Sequence, residues 1–123
     1  MASTFAPASK SKDYSEYYFE GQWYRKARLP RAVVRAFVRD HPDVTYTELK
    51  IYFPCEIQGS FGVITTPEEA RRKTEDPAKR YLSRDPIYLQ DKTIVWVCSQ
   101  WGAKYNFESF IRWAAELGYK IES

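Results

Sequence analysis

The chain has 123 residues, 19 Lys and Arg against 16 Asp and Glu for a formal charge of +3, with 44% hydrophobic and 28% charged residues. That profile fits one globular domain burying roughly two-thirds of the surface its unfolded chain exposes, and it excludes low-complexity and collagen-like chains. Aromatics are in surplus at 17%, whereas His occurs once and Cys twice, so a metal site built from His and Cys is poorly supplied.

The first twelve residues are rich in Ala, Ser and Lys and lack the apolar run of a secretory signal. They read as a flexible arm over 1–13, ahead of a single domain over 14–123. No apolar run exceeds five residues, Ile94 to Cys98, so no membrane-spanning segment is expected. Cys55 and Cys98 stand alone and far apart, which argues against a disulfide framework and for a reducing, cytoplasmic location.

Tyr17-Tyr18-Phe19 and Trp23-Tyr24 flank Glu20-Gly21-Gln22, the pattern of a β-hairpin. A helix follows over 29–39, with Pro30 in its first turn and Leu29, Val33, Ala36 and Phe37 on one face; Asp40-His41-Pro42 ends it. Thr45 and Glu48 have the spacing of a capping box, which predicts a short helix over 46–53, closed by Pro54. The two helices together make a helix-turn-helix candidate. Residues 57–64, with Gly59 and Gly62, read as a close-packed turn running into a short strand or helix turn.

Thr66-Pro67-Glu68-Glu69 starts a helix reaching about Lys73, with Glu69 completing a second capping box; residues 74–79 read as a loop. Residues 87–89 and 93–98 are strand formers around Gln90-Asp91-Lys92, a second hairpin. The last helix has Asn106 as N-cap, a core stripe of Phe107, Phe110, Ile111, Ala114 and Leu117, and Gly118 as its C-terminal cap. Residues 119–121 suit a short closing strand. The sum is a compact α+β domain of helix-turn-helix or winged-helix character, with two β-hairpins and three to four helices.

The sharpest functional pattern is on the first of these helices. At 100° per residue, Arg28, Arg31, Arg35 and Arg39 fall within an arc of about 80°, opposite Val33 and Phe37. Arg25 and Lys26 extend the run, and residues 21–39 contain no acid. Like charges so spaced repel one another by a few tenths of a kcal/mol per pair, which an anionic partner offsets; Arg also suits bidentate phosphate contact. The bland alternative, a solvated helix face, is equally compatible with the pattern. Lys50 adds a charge on the second helix, and Arg71, Arg72, Lys73, Lys79, Arg80 and Arg84 form a second basic group. For Arg71 to Lys73 the helix dipole alone is a sufficient explanation.

Aromatics are interleaved with these charges: Tyr17, Tyr18, Trp23 and Tyr24 beside the first group, Tyr81 and Tyr88 around the second. Trp23, Tyr24 and Tyr81 are the stacking candidates for bases, whereas Trp96, Phe107 and Phe110 read as core. Catalytic patterns are thin. Asp43 and the Glu48-Leu49-Lys50 triplet are too close together for a metal-dependent nuclease site, and Glu48 is already explained as a cap. A thiol–imidazole pair of Cys55 or Cys98 with His41 has no supporting context, and Gln58 to Gly62 lacks the Lys and spacing of a phosphate loop. No catalytic residue, metal or cofactor is expected.

Three segments carry a resemblance: Phe53-Pro54 through Gly62-Val63, Val97-Cys98-Ser99-Gln100-Trp101-Gly102, and Phe110-Ile111 through Lys120-Ile121. With the helix containing Val33-Val34, they resemble a small prokaryotic accessory domain of ill-defined function, found in bacterial and phage proteins of restriction or defence type. The resemblance covers about residues 17–122 and brings no catalytic residues. It implies a nucleic-acid or phage-defence setting. Together these features predict a non-enzymatic domain that contacts the phosphate backbone of DNA or RNA. The rival expectation is a protein-interaction module, such as a phage-encoded inhibitor or adaptor of a host defence enzyme.

Overall fold

The computed structural model describes residues 15–101 and 104–123. The arm expected over 1–13 lies outside them. Strands β1 (Glu16–Phe19) and β2 (Gln22–Arg25) form the first hairpin, with Phe19 opposite Gln22. Its two-residue turn holds Glu20 at φ 49° and Gly21 at φ 86°, both left-handed, as a turn matching the strand twist requires. Helix α1 (Leu29–Asp40) follows, with Pro30 in its first turn, and buries Leu29, Val33, Val34, Ala36 and Phe37. Helix α2 (Tyr46–Tyr52) starts on a complete capping box: Glu48 N–H donates to Thr45 Oγ1, and Thr45 N–H donates to Glu48 Oε1. Its inward residue is Leu49, fully buried.

A 3-10 turn, Cys55–Ile57, leads through Gly62 to strand β3 (Ile64–Thr65). Gly62 has φ 75°, and a Cβ there would press to 3.3 Å of Cys55 Cβ. Helix α3 (Pro67–Lys73) is capped by Thr66, whose Oγ1 accepts from Glu69 N–H. The expected reciprocal half of that box is not made. The Glu69 carboxylate instead accepts from Tyr46 Oη at 2.7 Å and ties α3 to α2. Burial, then this bond, pushes the Tyr46 phenol upward.

Residues expected as loop contain a further turn, α4 (Pro77–Arg80), because Pro77 sits at a first helical position where its missing N–H costs nothing. Strands β4 (Ile87–Tyr88) and β5 (Ile94–Val97) make the second hairpin, and β3 pairs with the far edge of β5, giving the order β3-β5-β4, all antiparallel. Helix α5 (Lys104–Glu116) begins two residues before Asn106, which therefore does not cap it. Its end is a Schellman cap: Tyr119 N–H donates to Ala114 O, Gly118 N–H donates to Ala115 O, and Gly118 has φ 100°.

The core lies between α1, α5 and the inner face of the three-stranded sheet. Phe107, Phe110 and Ala114 of α5 are buried as expected, beside Trp101, whose Nε1 donates to Cys98 O at 2.9 Å. The closing segment pairs with β1 through one bridge, Tyr18 with Glu122, and both main-chain bonds are made. The described residues thus form an α+β domain with five helices and two small antiparallel sheets. No helix among the described residues is long and apolar enough to cross a membrane.

Candidate nucleic-acid interface

Burial of the apolar side of α1 turns its arginine stripe outward, between two walls. One wall is the inner face of the first hairpin, with Phe19 and Tyr24; the other is Pro86, Ile87 and Tyr88 at the β4 edge. Between them runs a groove of about 750 Å³ that takes in all four of Arg28, Arg31, Arg35 and Arg39.

Three of the four arginines are held by acceptors from other parts of the chain. At one end, Arg28 Nη2 donates to Asp85 Oδ2 at 2.9 Å, and Arg31 Nε donates to the Asp85 main-chain oxygen at 2.6 Å. At the other end, Arg39 donates both terminal nitrogens to the Glu20 carboxylate at 2.9 Å and its Nε to Asp40 Oδ1 at 3.0 Å. Tyr119 Oη also donates to Asp40, at 2.8 Å, which anchors this end to the cap of α5. The bond from Arg28 holds the Asp85 carboxyl below the usual range; the bond from Arg39 does the same for Glu20, and the bonds from Arg39 and then Tyr119 for Asp40. Partial burial lowers the Arg31 pKa, with the Asp85 carboxylate opposing that and the neighbouring Arg35 and Arg28 adding to it. Arg35, in the middle of the stripe, is exposed and makes no hydrogen bond or ion pair among the described residues.

The remaining predicted residues divide sharply. Tyr24 lines the groove. Trp23 is 56% exposed, but the alternation of β2 puts it on the hairpin's outer face, edge-on to Tyr18. Arg25 shares that outer face and pairs with Glu16 at 3.4 Å. Lys26 sits 6.0 Å over the Phe107 ring, and Lys50 4.9 Å over Tyr46. Arg80 caps the Phe61 ring at 5.0 Å and bonds Gln100 Oε1. Arg72 and Arg84 are exposed and line neither groove nor hollow.

Tyr81 is not a stacking residue. It is 1% exposed, packs with Ala70 and Cys98, and donates its hydroxyl to Phe61 O at 2.7 Å. Burial pushes its phenol up to about 12. Proximity in sequence to basic residues put it among the candidates, but its bridge to Cys98 turns the ring inward.

Arg71, from the second basic group, lies beside the groove rather than in it. It lies 5.9 Å over Trp96 and lines a hollow of about 420 Å³ that shares Pro86 and Tyr88 with the groove. Trp96, expected as core, is half-buried on the outer face of the sheet, where it packs against the small buried cluster of Ala70, Tyr81 and Cys98. Tyr88, 64% exposed, is the ridge between the two depressions. Its sequence signal was the strand alternation of Ile87 and Tyr88, which places one of the pair outward.

Three of the residues considered for catalysis, Glu48, Cys98 and His41, have structural roles. Glu48 closes its capping box, and the buried Cys98 thiol is pushed up to about 11 by burial, so it is not a thiolate at neutral pH. His41 stacks on Phe37 with ring centroids 4.1 Å apart, its Nδ1 3.0 Å from Phe37 O. No group of three or more His, Cys, Asp or Glu among the described residues could hold a metal ion. No protein-family model, curated protein or solved structure matches the chain.

Proposed function

We propose that this domain binds DNA or RNA through the phosphate backbone, along the α1 groove, and catalyses no reaction on it. The observation that carries the reading is the placement of Arg28, Arg31, Arg35 and Arg39 along one groove, with exposed Arg35 uncompensated at its centre. The stripe extends about 16 Å along the helix axis at 1.5 Å per residue, long enough to follow a strand past successive phosphates. Tyr24 and Tyr88 on the walls supply apolar faces beside the charges. In a standard helix-turn-helix the second helix reads bases, but α2 offers outward only Thr47, Glu48, Lys50, Ile51 and Tyr52. Contacts to phosphate rather than to base edges therefore dominate, and weak sequence specificity follows.

Two unpaired cysteines suit a reducing, cytoplasmic setting, and a role in restriction or phage defence rests on the family resemblance alone. The test is fluorescence anisotropy of labelled oligonucleotides over a series of salt concentrations. Binding should weaken linearly on logarithmic axes, and Arg35→Glu should remove it. Arg31→Glu would be a poor probe, because Arg31 also bonds the Asp85 main chain. Unchanged affinity in a folded Arg35→Glu variant overturns the assignment. One observation favours the rival, a protein-interaction module: Ile51 is 68% and Tyr52 42% exposed, side by side on α2. Absence of any oligonucleotide binding at low salt would shift the reading to that surface.

A further inference from the structure

The face of the three-stranded sheet turned away from the main core is covered by α3 on its β3 side, where Thr65 is buried and Trp96 packs against Ala70, Tyr81 and Cys98, and is open on its β4 side. Ile87, Val95 and Val97 point into the core. The alternate residues Tyr88, Ile94 and Trp96 point outward, with Tyr88 directly opposite Ile94. An antiparallel sheet with one solvated face ordinarily carries polar side chains there. On the open side the outward pair is Tyr88 and Ile94, 64% and 38% exposed, with the half-buried Trp96 ring beside them at the edge of α3.

The surroundings of these rings are charged and polar. Arg71 reaches from α3 to within 5.9 Å of the Trp96 ring centre. Pro67, Glu68 and Ser83 complete the rim of the 420 Å³ hollow. Across the Tyr88 ridge lies the arginine groove, so cations flank the exposed ring on both sides. An apolar peptide would gain little from that arrangement. A flat ring attached to an anionic backbone would gain from both parts of it: a π face for stacking and guanidinium groups for the phosphates.

We propose that the Tyr88–Trp96 hollow is a nucleobase site, and that single-stranded nucleic acid is therefore the ligand of this domain. The proposal rests on the phosphate-groove reading and gives that groove its strand type. A strand whose phosphates follow α1 crosses the ridge at Tyr88 and lays one base on that ring, toward Trp96 and Arg71. The Glu68 carboxylate accepts from an exocyclic base amine, and Ser83 Oγ donates or accepts at the base edge. Bases in a duplex are already stacked on their neighbours and offer no free face, so double strands use the groove alone.

The experiment uses the full chain and three labelled probes in anisotropy titrations. They are a single-stranded mixed-sequence oligonucleotide, an abasic phosphodiester strand of the same length, and the corresponding duplex. The base-bearing single strand should bind tightest and quench tryptophan emission, and the quench should shrink in Trp96→Phe. Tyr88→Ala, at an exposed position, should weaken binding of the base-bearing strand roughly 5- to 100-fold and that of the abasic strand far less, so that the preference for the base-bearing strand is lost. If Tyr88→Ala binds both strands as the parent does while Arg35→Glu still abolishes binding, the base site is overturned and the phosphate groove stands. Equal affinity of the parent for single strand, abasic strand and duplex overturns the base site in the same way. Failure of all three probes to bind at low salt overturns both.

Discussion

Asp85→Asn should make the protein bind single strands more tightly, an effect rarely obtained by deleting a native ion pair. Four arginines line the groove, and three carboxylates, Glu20, Asp40 and Asp85, bond to members of the stripe, so a single positive charge is in excess. Asn keeps the shape of Asp but releases Arg28 from its 2.9 Å ion pair and doubles that excess. One more phosphate neutralised on a single strand steepens the log–log salt dependence by about 0.7, which near 0.1 M salt corresponds to roughly five-fold tighter binding. The fold should tolerate the change. The Arg31 bond goes to the main-chain oxygen of Asp85, which Asn retains, and both partners of the lost pair are about half exposed. Glu20→Gln should act likewise at the other end of the stripe through the negative charge it removes, with Arg39 keeping its bonds to Asp40. The two ends are about 16 Å apart, beyond the range at which substitutions usually couple, so the double variant should gain roughly 25-fold. Anisotropy titrations across a salt series measure both slope and affinity, with a circular-dichroism melt to verify folding. A folded Asp85→Asn whose affinity and slope match the parent would show that the groove does not receive phosphates.

Acid should destabilise the fold through the same carboxylates. Glu20, Asp40 and Asp85 titrate lower in the folded chain than the usual values near 4, so the stability they add is complete above about pH 5 and lost as pH falls through their folded values. A Tm that stays level from about pH 5 to about pH 2 would contradict that linkage. Thiol reagents should modify exposed Cys55 alone in the native protein and both cysteines in denaturant, since Cys98 is fully buried; native modification of both would contradict the packing around Tyr81. Thr45→Ala should cost about 1 kcal/mol in chemical denaturation by removing the N-cap of α2, and Thr45→Ser should recover most of it.

What the sequence made legible was local. The Thr45–Glu48 box, the Thr66-Pro67 start, the Glu20-Gly21 turn and the Gly118 cap each depend on neighbours within a few residues, and each is where the pattern placed it. The arginine arc was legible for the same reason, being a property of one helix. Its neutralisation was not. Glu20 is 19 positions from Arg39 and Asp85 is 57 from Arg28, and only the hairpin and the β4 edge closing on α1 bring them together. The aromatics divided along the same line. Strand alternation sends Tyr24 into the groove and Trp23 away from it, while the inward turn of Tyr81 follows from its long-range bridge to Cys98.

The paired main chains of Tyr18 and Glu122 bring the two ends of the described fold side by side at the first hairpin. A unit whose ends meet this way can be spliced into a surface loop of another protein without parting its core. It can also be reopened elsewhere. A permuted chain, joined across that bridge and cut at the exposed Asp91-Lys92 turn, should keep α1 and both groove walls intact. The Tyr18–Glu122 bridge thus ties the closing segment to the same hairpin that supplies one wall of the groove.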